Sequence, residues 1–544
     1  MSLSHEPKSV LDPVDVEKTG VHEYAETDAP SSKASHQAWY TGWNARIEGL
    51  AGFEARGLAR VLESERQPPS NMALLQMLLL WFSANLTINN LAVTLTGPLV
   101  FSLGFADCTW CAIVGVALGS LSTAYMATWG AVSGNRTMVC CSSLRDWSPL
   151  AHTDEYEGCP ALLLRALSFK DRYVLEHYPH GRLCHDRLHN RGPSAISCLW
   201  WLNEHCCWRR HRRCNRAHHR RVWTQSLPYL RTVLSSSSIS EAQADSSSFA
   251  WLPQLIVLFV LVGSAGSNFN SSLASSVTGS TLAANRLSFF SLCFYIPNSW
   301  AAAGSDYYVY YPPTSPKWKI FWLTFAGLAL SFWFVDMIGI GLACGIATSQ
   351  AWSDAYDISS GALIVAGYAP LAGFGKFCSV IIALGVIANC VPGTYSAAIG
   401  CQIMGRWGQL LPRWVWVVFL VVIQLACALA GRTHLFVIFT NFLALMAYWV
   451  SIMICVVAEE HLIFKLRLDW AVGEDRSKLP IGIAALIAFL LGWVGAIVGM
   501  CETWYVGPLA KACGYADVGM WVACGITLVV FPPMRWWELR RFGR

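Results

Sequence analysis

Residues Phe289 to Pro313 read FFSLCFYIPNSWAAAGSDYYVYYPP. The stretch begins as an apolar helix. Pro297, Asn298 and Ser299 then interrupt it, Trp300 follows, and small residues from Ala301 to Gly304 lead to Asp306 and a tyrosine-rich exit. A proline inside an apolar span removes a backbone donor and frees a carbonyl, and a buried Asn-Ser pair needs partners of its own. Such a break at bilayer depth is tolerated where it faces protein or a cavity, which is how transporters build midplane sites. The competing reading is a proline-kinked structural helix that ends in an interfacial aromatic belt.

The rest of the chain supplies the setting. It has 544 residues, 54% hydrophobic and 13% charged, with 26 Trp. A soluble protein carries about 25% charged residues, so the composition predicts an all-α polytopic membrane protein. Apolar stretches long enough to cross about 30 Å of hydrocarbon lie near 74–103, 109–130, 249–266, 286–305, 318–347, 375–404, 414–430, 435–456, 481–500 and 513–531. Residues 1–70 are polar and lack the apolar core of a signal peptide. They read as a disordered cytoplasmic tail, with Trp43 to Ser64 as a short amphipathic helix before the membrane. The cysteines show no extracellular spacing and read as small buried hydrophobes.

A second interruption lies in the first apolar stretch, at Ser83-Ala84-Asn85-Leu86-Thr87-Ile88-Asn89-Asn90. Paired broken spans in two halves point to an inverted-repeat transporter with its site between the breaks. The alternative is that these Asn and Thr residues join helices together. A third polar interruption is expected at Ile387 to Tyr395, where Asn389 precedes Pro392 by three residues. An amide there donates and accepts at once, which suits the edge of a nucleobase; packing is the other role open to it. The spacings Gly115–Gly119 and Gly341–Gly345 signal close helix packing.

Basic residues orient the spans. Arg136, Lys317, Lys319, Arg406, Arg413, the cluster from Lys465 to Lys478 and the basic tail 532–544 alternate with loops that carry few cations. The positive-inside rule then puts both termini in the cytoplasm. It also requires an even number of crossings between 131 and 248.

Residues 139–248 break character. They hold eight Cys, nine of the 14 His and fourteen Arg. His205, Cys206, Cys207, Cys214, His218 and His219 are zinc-ligand types, but their spacing matches no paired-ligand pattern. An arginine-rich patch for RNA or anionic lipid is a further reading. The genetic code offers a third. Shifted by one base, Arg, His, Cys and Trp codons become codons for apolar residues, and Phe169 to Asn190 reads SKIGTFLNIILMVGYAMIDCII. Leu199 to Trp223 likewise becomes an apolar span, and Thr224 to Thr232 becomes LKVFHTYER. Two helices appear, the parity that the charge rule requires. The segment therefore reads as a frame error with intron read-through that replaces the third and fourth helices.

GNRTM at Gly134 to Met138, FAWLPQ at Phe249 to Gln254, SWAAAGSDYYVYYPP at Ser299 to Pro313, IANCVPGTYSAAIGCQ at Ile387 to Gln402 and FLALMAYW at Phe442 to Trp449 resemble the fungal purine-cytosine permeases. These belong to the nucleobase-cation-symport family one. The resemblance covers 70–138 and 249–544. It implies a LeuT-like five-plus-five inverted repeat of twelve helices, ten of them readable here: the first two in 71–138 and the fifth to twelfth in 249–531. It also implies import of cytosine or purines with protons across the plasma membrane, with no cofactor besides the coupling proton. The partners are then a small nucleobase and the lipid bilayer, with no nucleic acid.

By position, the resemblance assigns Ser83 and Asn85 in helix one, Trp300 in helix six, and Asn389, Pro392 and Gly393 in helix eight to the substrate site. Trp300 would stack on the base and Asn389 would bond its edge. The family usually carries a second Asn where Gly393 stands, so a carrier of a nucleoside or vitamin is the alternative. A membrane-tethered sensor built on 139–248 is a different-class reading. No paired carboxylates, nucleophile-base set or phosphate loop suggests an enzyme.

Overall fold

The computed structural model describes residues 60–66, 68–137, 251–403, 408, 411–430, 435–464 and 481–543, with 388, 430 and 435–440 by backbone only. The expectations for residues 1–59 and 139–248 lie outside the described residues; at the end of the expected helix from Trp43 to Ser64, Leu62 is extended and only Glu63–Glu65 form a short 3₁₀ turn. Helices stand at all ten apolar stretches, and no strand occurs among the described residues. Among the described residues, five helices are long and apolar enough to cross a membrane, or six if one bent pair counts as a span.

The first stretch is that bent pair. Ser70 caps α1 (Asn71–Asn85) by accepting from the Ala73 amide at 3.1 Å. The chain breaks at Leu86 and Thr87 and resumes as α2 (Ile88–Thr94) and α3 (Thr96–Leu99), turned by 59°. A break frees carbonyls that must be satisfied where water is absent. Side chains do this: Asn90 Nδ2 donates to Asn85 O at 2.9 Å, and Asn389 Nδ2 donates to Ala84 O.

α4 (Phe105–Ser133) stops at Gly134, whose φ of 68° suits glycine. Arg66 donates to Ala131 O and Ser133 O, both at 3.1 Å, placing its cation on the carbonyl end of α4. α5 (Trp251–Ala265) leads to α6 (Gly279–Ser299), which contains Pro297. The backbone then tightens into a 3₁₀ helix over Trp300–Tyr307.

The remaining order is α7 (Lys317–Gly345), α8 (Gln350–Ile358), α9 (Ser360–Gly367), α10 (Ala372–Ile403) and α11 (Arg413–Ala430). Next come α12 (Leu435–Glu459), α13 (Ile483–Gly499), α14 (Pro508–Ala512) and α15 (Gly519–Phe542). The expected third interruption is absent: α10 runs unbroken through Pro392. A lone proline deletes one bond, and here nothing crowds the next turn, since no atom lies within 4 Å of a Cβ built on Gly393.

Two apolar cores share α7. One gathers Trp81, Phe289, Tyr295, Tyr308, Phe332 and Tyr448; the other gathers Leu86, Leu91, Leu261, Val335, Leu342 and Tyr368. α11 instead exposes Val418, Phe419, Val422, Leu425 and Leu429, the face a helix turns to lipid. The glycine pairs behave as expected. Gly115 and Gly119 seat α4 on the backbone of Phe290 and Phe294, and Gly341 and Gly345 seat α7 on Phe269 and Trp352.

α6 also carries a polar stripe at helical spacing. Ser288 accepts from the Asp517 amide at 3.0 Å, and Ser291 accepts from Trp521 Nε1 at 3.1 Å. Tyr295 donates to Asp517 Oδ2 at 2.5 Å, and Asn298 Nδ2 donates to Ser451 Oγ at 3.1 Å.

Candidate functional site

The two breaks meet. Trp300, the first residue after α6, donates from Nε1 to Asn85 Oδ1 at 3.0 Å, where α1 ends. Asn85 Nδ2 turns back to Trp81 O at 2.9 Å, so both ends of its amide are engaged. The third arm is α10, whose Asn389 reaches the carbonyl of Ala84. That carbonyl is released by the break in α1 and not by Pro392, so the amide answers a neighbouring helix.

Aromatic rings surround this junction. Trp81 makes edge contacts with Trp300 at 5.8 Å and with Tyr307 at 5.2 Å between centroids. Its own Nε1 donates to Tyr308 Oη at 3.0 Å, and Tyr308 pairs with Thr324 Oγ1 of α7 at 2.6 Å. Tyr307 donates to Pro392 O at 3.0 Å and lies 6.5 Å from the ring of Tyr395. The tyrosine exit is therefore an inner wall and not an interfacial belt.

Behind the wall, the break in α6 is held by hydroxyls. Thr123 Oγ1 donates to Pro297 O at 2.6 Å, and Ser122 Oγ donates to Asn298 Oδ1 at 2.7 Å. Asp306 accepts from the Thr137 amide at 2.8 Å, and Arg136 donates to the Asp306 carbonyl at 2.6 Å. The two separated sequence motifs are thus one contact.

Of the expected site residues, Asn85, Trp300, Asn389 and Pro392 converge. Ser83 is half-buried on α1 and takes no part in these contacts, and Gly393 faces open space. Trp81, Tyr307 and Tyr308 were not among the residues singled out from sequence. Among the described residues, no three His, Cys, Asp or Glu side chains gather as a metal site. The junction offers amides, hydroxyls and ring faces, the groups that recognise a flat polar molecule.

No family model matches the chain. It is 27% identical to the vitamin B6 transporter TPN1 of Saccharomyces cerevisiae, over 92% of this chain and 90% of that one. It is 28% identical to the purine-cytosine permease fcyB of Emericella nidulans, over 92% of both, and 27% identical to the purine-cytosine permease FCY2 of S. cerevisiae, over 94% of this chain and 91% of that one. Two solved structures also align: a manganese transporter variant from Eremococcus coleocola (12% identity, 89% of this chain and 100% of that one, TM-score 0.45) and inward-facing Mhp1 (11% identity, 90% and 95%, TM-score 0.44). Relatives that match along nine-tenths of their own length, taken with two helix breaks that meet at a tryptophan, support a multi-pass membrane transporter similar to the fungal purine-cytosine permeases.

Proposed function

We propose that the permease imports a nucleobase, cytosine or a purine, together with protons across the plasma membrane, with both termini in the cytoplasm. One observation carries this reading: Trp300 stands at the meeting of both breaks with its donor already taken by Asn85. A ring so anchored meets cargo through its face, and Asn389 beside it supplies the edge contact. A buried amide edge rejects analogues lacking the matching groups more sharply than an apolar wall does. The positive-inside pattern supports the orientation.

The test is uptake of labelled cytosine, adenine and hypoxanthine by yeast lacking its own permeases. Both the chain as given and a version with the two helices of 139–248 restored by the shifted frame are expressed. The restored form is expected to reach the surface and transport. The given form is expected to be retained, because each Arg at a helix centre costs about 2.5–3.5 kcal/mol. Failure of both forms to move any nucleobase would sink the proposal.

Gly393 favours a second reading. Its open surroundings leave space where a purine-cytosine carrier is expected to place an amide, which suits a ring with other substituents, such as the cargo named for the vitamin B6 transporter. Competition by pyridoxine against cytosine separates the two. Gly393→Asn is expected to shift preference toward cytosine.

A further inference from the structure

We propose that Asp336 is the proton-binding residue of transport, its protonation tied to the seating of α2 on α7. The inference rests on the proton-coupled reading above. Asp336 lies inside α7 and is 2% exposed, and its Oδ1 has no hydrogen-bond partner among the described residues. Other buried acids are provided for. Glu460 takes Arg535 Nη2 at 2.8 Å, Glu538 takes the amides of Gly482 and Ala484, and Asp517 takes two tyrosine hydroxyls. Glu459 also leaves an oxygen unpartnered, but it is the last residue of α12.

Among the described residues, no cation approaches Asp336. α1, α2 and α3 carry no charged residue, and Asp107 of α4 is held by Ser275 and Arg286. Two buried thiols, Cys293 of α6 and Cys108 of α4, lie in a core that α7 shares. An ionised carboxylate buried without partners is strongly disfavoured against the neutral acid. Ionisable residues of this kind inside a membrane span are the ones that carry protons in transporters.

Its position links it to the break. Gly327 of α7 lies against Leu78 O and Trp81 on one side of that break, and Gly339 lies against Leu91 O and Thr94 on the other. Asp336 precedes Gly339 by three residues, on a neighbouring face of the same turn. Trp333, three residues earlier, donates to Ile113 O of α4 at 3.1 Å. Asp336 thus stands in the helical sequence between a residue that meets α4 and one that meets α2, and it is buried with α2 seated. When α2 lifts, water reaches the carboxylate, which takes one proton from hydronium and forms one O–H bond, leaving water. Seating over cargo admits only the neutral acid. That proton is released to water with the cargo when the opposite side opens. The emptied, water-filled junction returns with the carboxylate ionised, so one proton moves with each cargo.

The test compares Asp336→Asn and Asp336→Glu with wild type, in whichever full-length form carries uptake. Two readouts are taken: accumulation driven by a pH gradient, and exchange of labelled for unlabelled cargo at equal pH, which needs no net proton movement. A gradient of about one pH unit supports about tenfold accumulation in a one-to-one symporter. Asp336→Asn is expected to lose this entirely while exchange stays within about twofold, and Asp336→Glu is expected to retain it. Should the Asn variant fail to reach the surface, an altered pH dependence in the Glu variant supports the assignment and an unaltered one overturns it. Normal gradient-driven accumulation in the Asn variant overturns it, as does equal loss of exchange in both variants, which marks a packing role. Wild-type uptake without proton influx would instead remove the coupling reading itself.

Discussion

Pro297 and Pro392 pose the same problem to two membrane helices, and the chain solves it in two ways. At Pro297 the α-helix gives way within three residues to a 3₁₀ segment; at Pro392 the helix continues for eleven residues more. Both prolines remove one donor. The difference lies in what meets the freed backbone. Thr123 donates to Pro297 O, Ser122 and Ser451 hold the side-chain amide of Asn298, and α4 closes on that turn through Gly119. Around Pro392, one tyrosine hydroxyl reaches Pro392 O, but Thr394 bonds back to Cys390 O within the helix and Gly393 is uncrowded, so among the described residues no neighbouring helix closes on the turn there. A proline weakens a helix, and its neighbours decide whether the helix breaks.

Substitutions sharpen this contrast. Gly119→Val has the largest expected effect. Its side chain would overlap Phe294 O and the Pro297 ring, and overpacking costs about 1–3 kcal/mol or more, so the surface signal of a fluorescent fusion should fall to background. Trp300→Ala comes next: stacking is worth about 1–3 kcal/mol per base, so uptake should fall about ten- to hundredfold at normal surface level, with Trp300→Phe partly active. Wild-type uptake by the Ala variant would reduce Trp300 to packing.

Thr123→Val leaves Pro297 O without its donor, a loss of about 1 kcal/mol or somewhat more, read as a lower unfolding temperature in detergent. Gly393→Ala is smallest and opposite in sign. With no atom to strike, it should stabilise α10 by about 0.5–1 kcal/mol. Destabilisation there would show that α10 is as constrained as α6.

Much of this was legible in sequence because apolar length and polar interruption are local signals. The ten stretches and the breaks at Asn85 and Trp300 follow from them directly. The partner of Asn389 was not legible, since proximity to a proline in its own helix suggested a local carbonyl, whereas the carbonyl it answers lies 305 residues away. Tyr307 and Tyr308 resembled a belt because composition cannot tell an inner wall from an interface. Asp336 passed unnoticed as one acid in a long apolar run, though an intramembrane acid is itself a signal. Proton coupling, the cargo and the role of 139–248 are properties that uptake measurements address.

The polar stripe on α6 has a kinematic consequence. Four residues tie the helix to α12, to α15 and to the turn before α15, while the glycines of α4 pack against its backbone. For α6 to slide alone, all four bonds must shear together, each worth about 0.5–1.5 kcal/mol. The less demanding motion carries α6, α12 and α15, together with α4, which Thr123 and Ser122 bond to the same turn, as one rigid piece. The contact between Trp300 and Asn85 lies at the edge of that piece, so a rigid movement of it would load this one hydrogen bond first.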